Sequence, residues 1–177
     1  MANADLPRVL PDLLPRLWRF ALRLTGDRHD AEDLVQRACV RALERQHQWQ
    51  PDTSMLSWMF SIVHSVWINE LRARQVRQRA SMDWSDEMAE TVADPGALDP
   101  EADALHRQVI AAVDALPEVQ RTVMLLVAIE GFSYREAAEV LGIPIGTVMS
   151  RLARARVIIG RTFGFSRTNR TEAKGAL

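Results

Sequence analysis

Thr147, Ser150, Arg151 and Arg154 follow one another at i, i+3, i+4 and i+7, so a helix would carry them on one face, with Arg156 just beyond. That face holds hydroxyls and guanidiniums, and no Asp or Glu occurs from Pro144 through Asn169. Solvated helix faces usually mix signs, whereas an acid-free one suits a groove lined by phosphates. Arginine adds the planar fork that bridges two acceptors on a phosphate or a guanine edge.

Such a face needs a helix to hold it and a scaffold to present it. Val148, Leu152, Ala155 and Ile159 form the opposing apolar stripe of a helix expected from about Thr147 to Phe163. Upstream, Ser133-Tyr-Arg-Glu136 has the capping-box pattern and opens a short helix to Leu141. Gly142-Ile-Pro144-Ile-Gly146 reads as the tight turn between the two. Short helix, turn, second helix is a helix-turn-helix pattern. Two more helices precede it, one from Asp99-Pro100 to about Ala115 and one from Pro117 to about Ile129.

The first half also reads as helices. One is expected from about Asp12 to Thr25, stopped by Gly26, and a second from about Asp30 to His47 with Ala31, Leu34, Val35, Ala38 and Ala42 inward. A third runs from Thr53 or Ser54 to about Arg79, apolar on two stripes at first and then basic. No strand pattern is convincing, so the expected class is all-α. It comprises two small helical domains, residues 1–80 and 101–165, joined by an acidic linker at 81–100 and followed by a tail at 166–177.

Charge supports a nucleic-acid partner despite a net of −1. Residues 1–80 are net +3, residues 81–106 are net −8 with no Lys or Arg, and residues 107–177 are net +4. The 47% hydrophobic content argues against general disorder, and a single cysteine excludes a disulfide framework. No apolar run approaches the roughly 20 residues of a membrane span, and no leader pattern opens the chain. A reducing, cytoplasmic setting is expected. His29, His47, His64 and His106 lack ligand spacing, and no phosphate loop or nucleophile motif occurs. No metal, cofactor, small-molecule substrate or catalytic activity is expected. Trp58, Trp67 and Cys39 lie on apolar stripes and read as core residues.

The wording of residues 116–156, above all the string GTV-x-SRL-x-RAR, resembles the C-terminal promoter-reading region of bacterial sigma factors, especially the extracytoplasmic-function (ECF) group. Asp30-Ala-Glu-Asp-Leu-Val-Gln36 resembles the same group's polymerase-binding helix, and Ser57-Trp-Met-Phe-Ser-Ile62 its promoter-melting segment. The resemblance implies a subunit that binds core RNA polymerase, directs it to particular promoter DNA and is restrained by an anti-sigma factor. It places Glu32, Asp33, Gln36 and Arg37 against the polymerase. Thr147, Ser150, Arg151, Arg154 and Arg156 fall on the upstream (minus thirty-five) element. Ser65 and Asn69 fall on the downstream (minus ten) element, with Arg72, Arg74 and Arg77 on backbone phosphates. It also implies that the linker threads the polymerase cleft. The chain departs from the group at Ser65, Met149 and Ala153, which bears on the DNA sequence read, and at Ala137, where an Ile is usual. Two other readings stay open: a stand-alone helix-turn-helix regulator, which would have no use for the DAEDLVQ helix, and a sigma mimic, which would not need the acid-free helix.

Overall fold

The computed structural model of the protein describes residues 6–80 and 100–164. Among them the regular structure is helical: α1 Leu6–Thr25, α2 Arg28–Glu44, a 3-10 turn Gln46–Gln48, α3 Met55–Ala80, α4 Pro100–Asp114, α5 Glu118–Met124, α6 Tyr134–Leu141 and α7 Ile145–Thr162. The acidic linker and the tail lie outside the described residues.

The helix α1 starts well before the expected Asp12 and contains Pro11 and Pro15. Proline lacks the N–H that would close an i→i−4 bond, so each should break a helix. Here Pro7, Pro11 and Pro15 stand four residues apart on one exposed face. The carbonyls of Pro7 and Pro11, which Pro11 and Pro15 leave without a helical partner, therefore lie on the exposed side, while Leu6, Leu17, Phe20, Ala21 and Leu24 are buried on the other. Asp27 caps α2 by accepting from the Asp30 N–H at 2.8 Å, which moves its start to Arg28, and the helix stops at Glu44 rather than His47.

The helix α5 is shorter than expected because Leu125–Ile129 widens into a π turn, closed by the Glu130 N–H donating to the Leu125 carbonyl at 2.9 Å. The capping box forms as expected. The Glu136 N–H donates to Ser133 Oγ, and the Ser133 N–H donates to Glu136 Oε2 at 2.8 Å. Gly142 ends α6 with φ 63°, a left-handed conformation that costs glycine nothing. Pro144 then caps α7, so Gly146 lies inside the helix and not in the turn.

The largest departure is in how the halves meet. They share one continuous core, in which Phe20, Phe60, Val63 and Trp67 of the first half join Val123, Leu126, Phe132 and Val140 of the second. Phe60 packs against Phe20 with ring centroids 4.8 Å apart and planes tilted by 43°, and meets Phe132 edge-on at 5.1 Å. Helix α6 packs along α3, so the helix-turn-helix is docked on the first domain. Polar bonds cross the rim. Arg16 donates from Nε to Glu130 Oε2 at 3.1 Å and from Nη2 to the Glu130 carbonyl at 2.9 Å. Trp67 Nε1 donates to Glu118 Oε1 at 2.6 Å, and Arg121 Nη2 donates to the Leu24 carbonyl at 3.1 Å.

Candidate nucleic-acid interface

Helix α7 buries Val148, Leu152 and Ala155 against its own half. Ser150, Arg154 and Arg156 are exposed, whereas Thr147 and Arg151, one turn apart on the shoulder, are half-buried. The expected four-residue stripe is therefore split. Ser150 Oγ donates to the Thr147 carbonyl at 3.0 Å, and Arg156 Nη2 reaches Tyr134 Oη only weakly at 3.4 Å. Arg151 of the second half lies close enough to His64 of α3 for its positive charge to disfavour the imidazolium. Burial, opposed by Glu118 and aided by Arg151, pushes the His64 imidazole down to about 4, so it is neutral in this packing.

On α3, Ser65, Asn69 and Arg72 are exposed at i, i+4 and i+7 and form one line. Arg74 and Arg77, expected beside them on phosphates, are engaged with acids instead. Arg74 Nη2 lies 2.6 Å from Asp30 Oδ2, and its Nε lies 3.1 Å from Glu70 Oε1. Arg77 reaches the same Glu70 oxygen at 3.0 Å, and Arg37 reaches Glu70 Oε2 at 3.1 Å. Hydrogen bonds from Arg74, Arg37 and Arg77 hold the Glu70 carboxyl down at about 2. Arg74 also lies 5.7 Å over the Trp67 ring, whose own burial places it in the core as expected.

Sequence reasoning missed a polar hollow of about 200 Å³ beside this line, bounded by Arg41, Arg45, Gln48, Trp58, Ser61, Ile62 and Ser65. Arg41 and Arg45 stand four residues apart at the end of α2, a spacing legible in the sequence, but their meeting with Trp58 needs the α2–α3 turn. Trp58 is half-buried there rather than enclosed.

On α2, Glu32, Asp33, Gln36 and Arg37 are all exposed. Asp33 is paired within the helix, its Oδ2 3.0 Å from Arg37 Nε. Glu32 and Gln36 also rim an apolar groove of about 370 Å³ floored by Leu14, Pro15, Trp18 and Val35. No group of three or more possible metal-ligating side chains occurs among the described residues, and no helix there is long and apolar enough to cross a membrane.

A helix-turn-helix docked on a helical domain that carries an exposed acidic-and-amide helix and a basic helix end defines a two-domain, DNA-reading class of helical protein. Residues 12–77 match the family model for Sigma-70 region 2, and residues 106–159 match that for Sigma-70, region 4. The ECF RNA polymerase sigma factor EcfG of Rhodopseudomonas palustris (strain TIE-1) is 35% identical over 144 residues, covering 81% of this chain and 76% of the relative. The RNA polymerase sigma factor HrpL of Pseudomonas syringae pv. syringae is 31% identical over 160 residues, covering 88% and 85%. The sigma factor RpoE from Bartonella quintana, solved in complex with the anti-sigma factor NepR, superposes with a TM-score of 0.76 at 29% identity, covering 92% of this chain and 99% of that one. The chain belongs to the ECF sigma factors: it binds core RNA polymerase and directs promoter-specific initiation. Its relatives are sigma factors, which are not enzymes.

Proposed function

We propose that the initiation role is divided among the surfaces just described. Glu32, Asp33, Gln36 and Arg37 of α2 bind the polymerase, with the apolar groove beside them adding buried area. Ser65 and Asn69 read the downstream element, while Arg72, Arg74 and Arg77 approach its backbone once Glu70 and Asp30 exchange partners. Trp58, Arg41 and Arg45 supply what an unstacked base needs, an aromatic face and cations at the rim of a hollow. Ser150, Arg154 and Arg156 read the upstream element directly, and Thr147 and Arg151 join them when their shoulder is uncovered. The chain works in the cytoplasm, has no catalytic activity of its own and is restrained by an anti-sigma factor. Residues 1–80 and 101–165 act as the two reading units, with 81–100 as their link and 166–177 as a tail.

The single observation that carries this division is exposure. Ser150, Arg154 and Arg156 of α7 and the Ser65–Asn69–Arg72 line of α3 remain open to solvent even with the halves docked. Geometry adds a condition. A compact chain of this length has a radius of gyration of about 16 Å and so a diameter of about 40 Å. The two elements lie roughly 25 base pairs apart, about 85 Å of duplex at about 3.4 Å per pair. The docked arrangement cannot reach both, so the halves separate on the polymerase.

Footprinting of the assembled holoenzyme on one promoter tests the division. Arg154→Ala is expected to lose protection upstream only, at a cost of about 1–3 kcal/mol in discrimination. Asn69→Ala is expected to weaken opening at the downstream element only. Full upstream protection by the Arg154 variant would refute the assignment of α7.

A further inference from the structure

One part of α7 is not explained by phosphate or guanine contacts. Met149 is 53% exposed and Ile145 48%, although Met149 stands one turn from the start of the helix. Ala153 continues the line at i+4 and is exposed as well. The three form an apolar strip at i, i+4 and i+8, running beside the exposed Ser150 and Arg154. None of the three contributes to the buried core.

Gly146 lies at the head of this strip. Its φ is not positive, and a Cβ added there would meet nothing within 4 Å. Neither backbone conformation nor internal packing requires glycine. Glycine inside a helix costs about 0.5–1 kcal/mol against alanine. A residue that the fold does not need, at the start of a recognition helix, fits close approach by something outside the chain.

The N-terminal part of a recognition helix is the part that reaches base edges in the major groove. Of the features displayed there, the thymine C5-methyl is the apolar one, and alanine or other apolar side chains read it by contact. The flanking guanidinium of Arg154 and the absence of acids supply the attraction to phosphate that brings such a strip into the groove.

We propose that Met149 and Ala153, with Ile145 at the edge, form a thymine-methyl-reading strip that sets part of the upstream-element sequence. This rests on the assignment of α7 to that element and goes beyond it, by naming the chemical group recognised and the residues that recognise it. The strip demands A·T pairs at the positions it covers, with thymine on the strand it faces. Arg154 reads a neighbouring position by hydrogen bonds, so the two contributions are separable.

Deleting the methyl group and nothing else tests this. Holoenzyme assembled from core polymerase and the full chain is first used to select an upstream element from a randomised promoter library. Each thymine of the selected element is then replaced by deoxyuridine, which pairs identically but lacks the methyl. One or two positions are expected to lose about three- to fivefold in binding, the effect of one buried methyl. Met149→Ala, a change at an exposed position that leaves the core intact, is expected to bind the thymine promoter less tightly and to be indifferent to deoxyuridine at one of those positions. Arg154→Ala is expected to keep the full deoxyuridine effect. An element that tolerates deoxyuridine everywhere, or a Met149 variant that retains the whole effect, overturns the proposal. A library that returns no upstream preference at all overturns the assignment of α7 as well, so the two failures are distinct.

Discussion

Removing Arg16 should open the molecule without damaging either half. In the docked state its guanidinium makes two bonds to Glu130, whose side chain is only 7% exposed, while that of Arg16 is 38% exposed. With Arg16 truncated to alanine, the Glu130 carboxylate stays largely buried and loses its cation. It regains solvation only when the halves part. Hydrogen bonds to charged groups contribute about 1.5–3 kcal/mol when buried, and the partial exposure of Arg16 reduces this by solvent screening. A net of about 1–2 kcal/mol remains, which shifts the docked-to-open equilibrium roughly 5- to 30-fold. Because Arg16 projects from the surface of α1, its loss leaves the internal packing of the first half unchanged. The shift can be read by single-molecule energy transfer between dyes on Glu44→Cys and Val157→Cys, both exposed, in a Cys39→Ala background. The low-transfer population should grow by that factor. Apparent affinity for core polymerase should rise with it, because binding to a minority conformation is weakened by the fraction present. Arg19→Ala, exposed on the same helix, is the control. An unchanged transfer distribution for Arg16→Ala, with unchanged affinity, would refute the reasoning.

Three further outcomes are expected. Asp33→Arg breaks the pair with Arg37 and reverses charge on the exposed face of α2; pull-down with purified core should weaken while circular dichroism stays constant, and equal recovery would remove α2 from the polymerase interface. His64 is held neutral in the folded chain by burial, so the unfolded chain binds the extra proton between about pH 6.5 and about pH 4; stability is full near neutrality and falls as pH drops through that window, by about 2 kcal/mol at pH 5, and denaturant titrations of His64→Gln should lack this part of the slope. Replacing Asp83, Asp86, Glu87 and Glu90 together by Asn or Gln should reduce polymerase affinity at low salt and less so at high salt, because the attraction of an acidic linker to a basic channel is screened beyond about 8 Å; equal affinity at low salt would leave the acids as a solvating spacer only.

The helices were readable wherever one residue type decides the local structure. Ser133 and Glu136 announce a capping box, Gly142 a left-handed stop, and the stripe of Val148, Leu152 and Ala155 the inner face of α7. The early start of α1 at Leu6 was not readable, because the cost of a proline such as Pro11 depends on which way its freed carbonyl faces in the fold. The docking of the halves was not readable. An apolar stripe looks the same whether it packs within its own domain or against the other, so nothing in the sequence shows that Phe60 and Phe132 meet. The same limit explains the split recognition face, since Thr147 and Arg151 share a helical stripe with Ser150 and Arg154 in sequence but sit on its covered shoulder in space. The pairing of Arg74 with Asp30, 44 residues away, has no sequence period to reveal it.

Transcription in vitro with purified core polymerase, followed by sequencing of the start sites, tests the central claim most directly. Core alone should initiate without preference. Core with this chain should initiate at discrete sites that share an upstream and a downstream element at constant spacing, and Arg154→Ala should erode the upstream element alone. Scattered start sites unchanged by the chain, or tight sequence-specific binding of duplex DNA by the chain without polymerase, would contradict it.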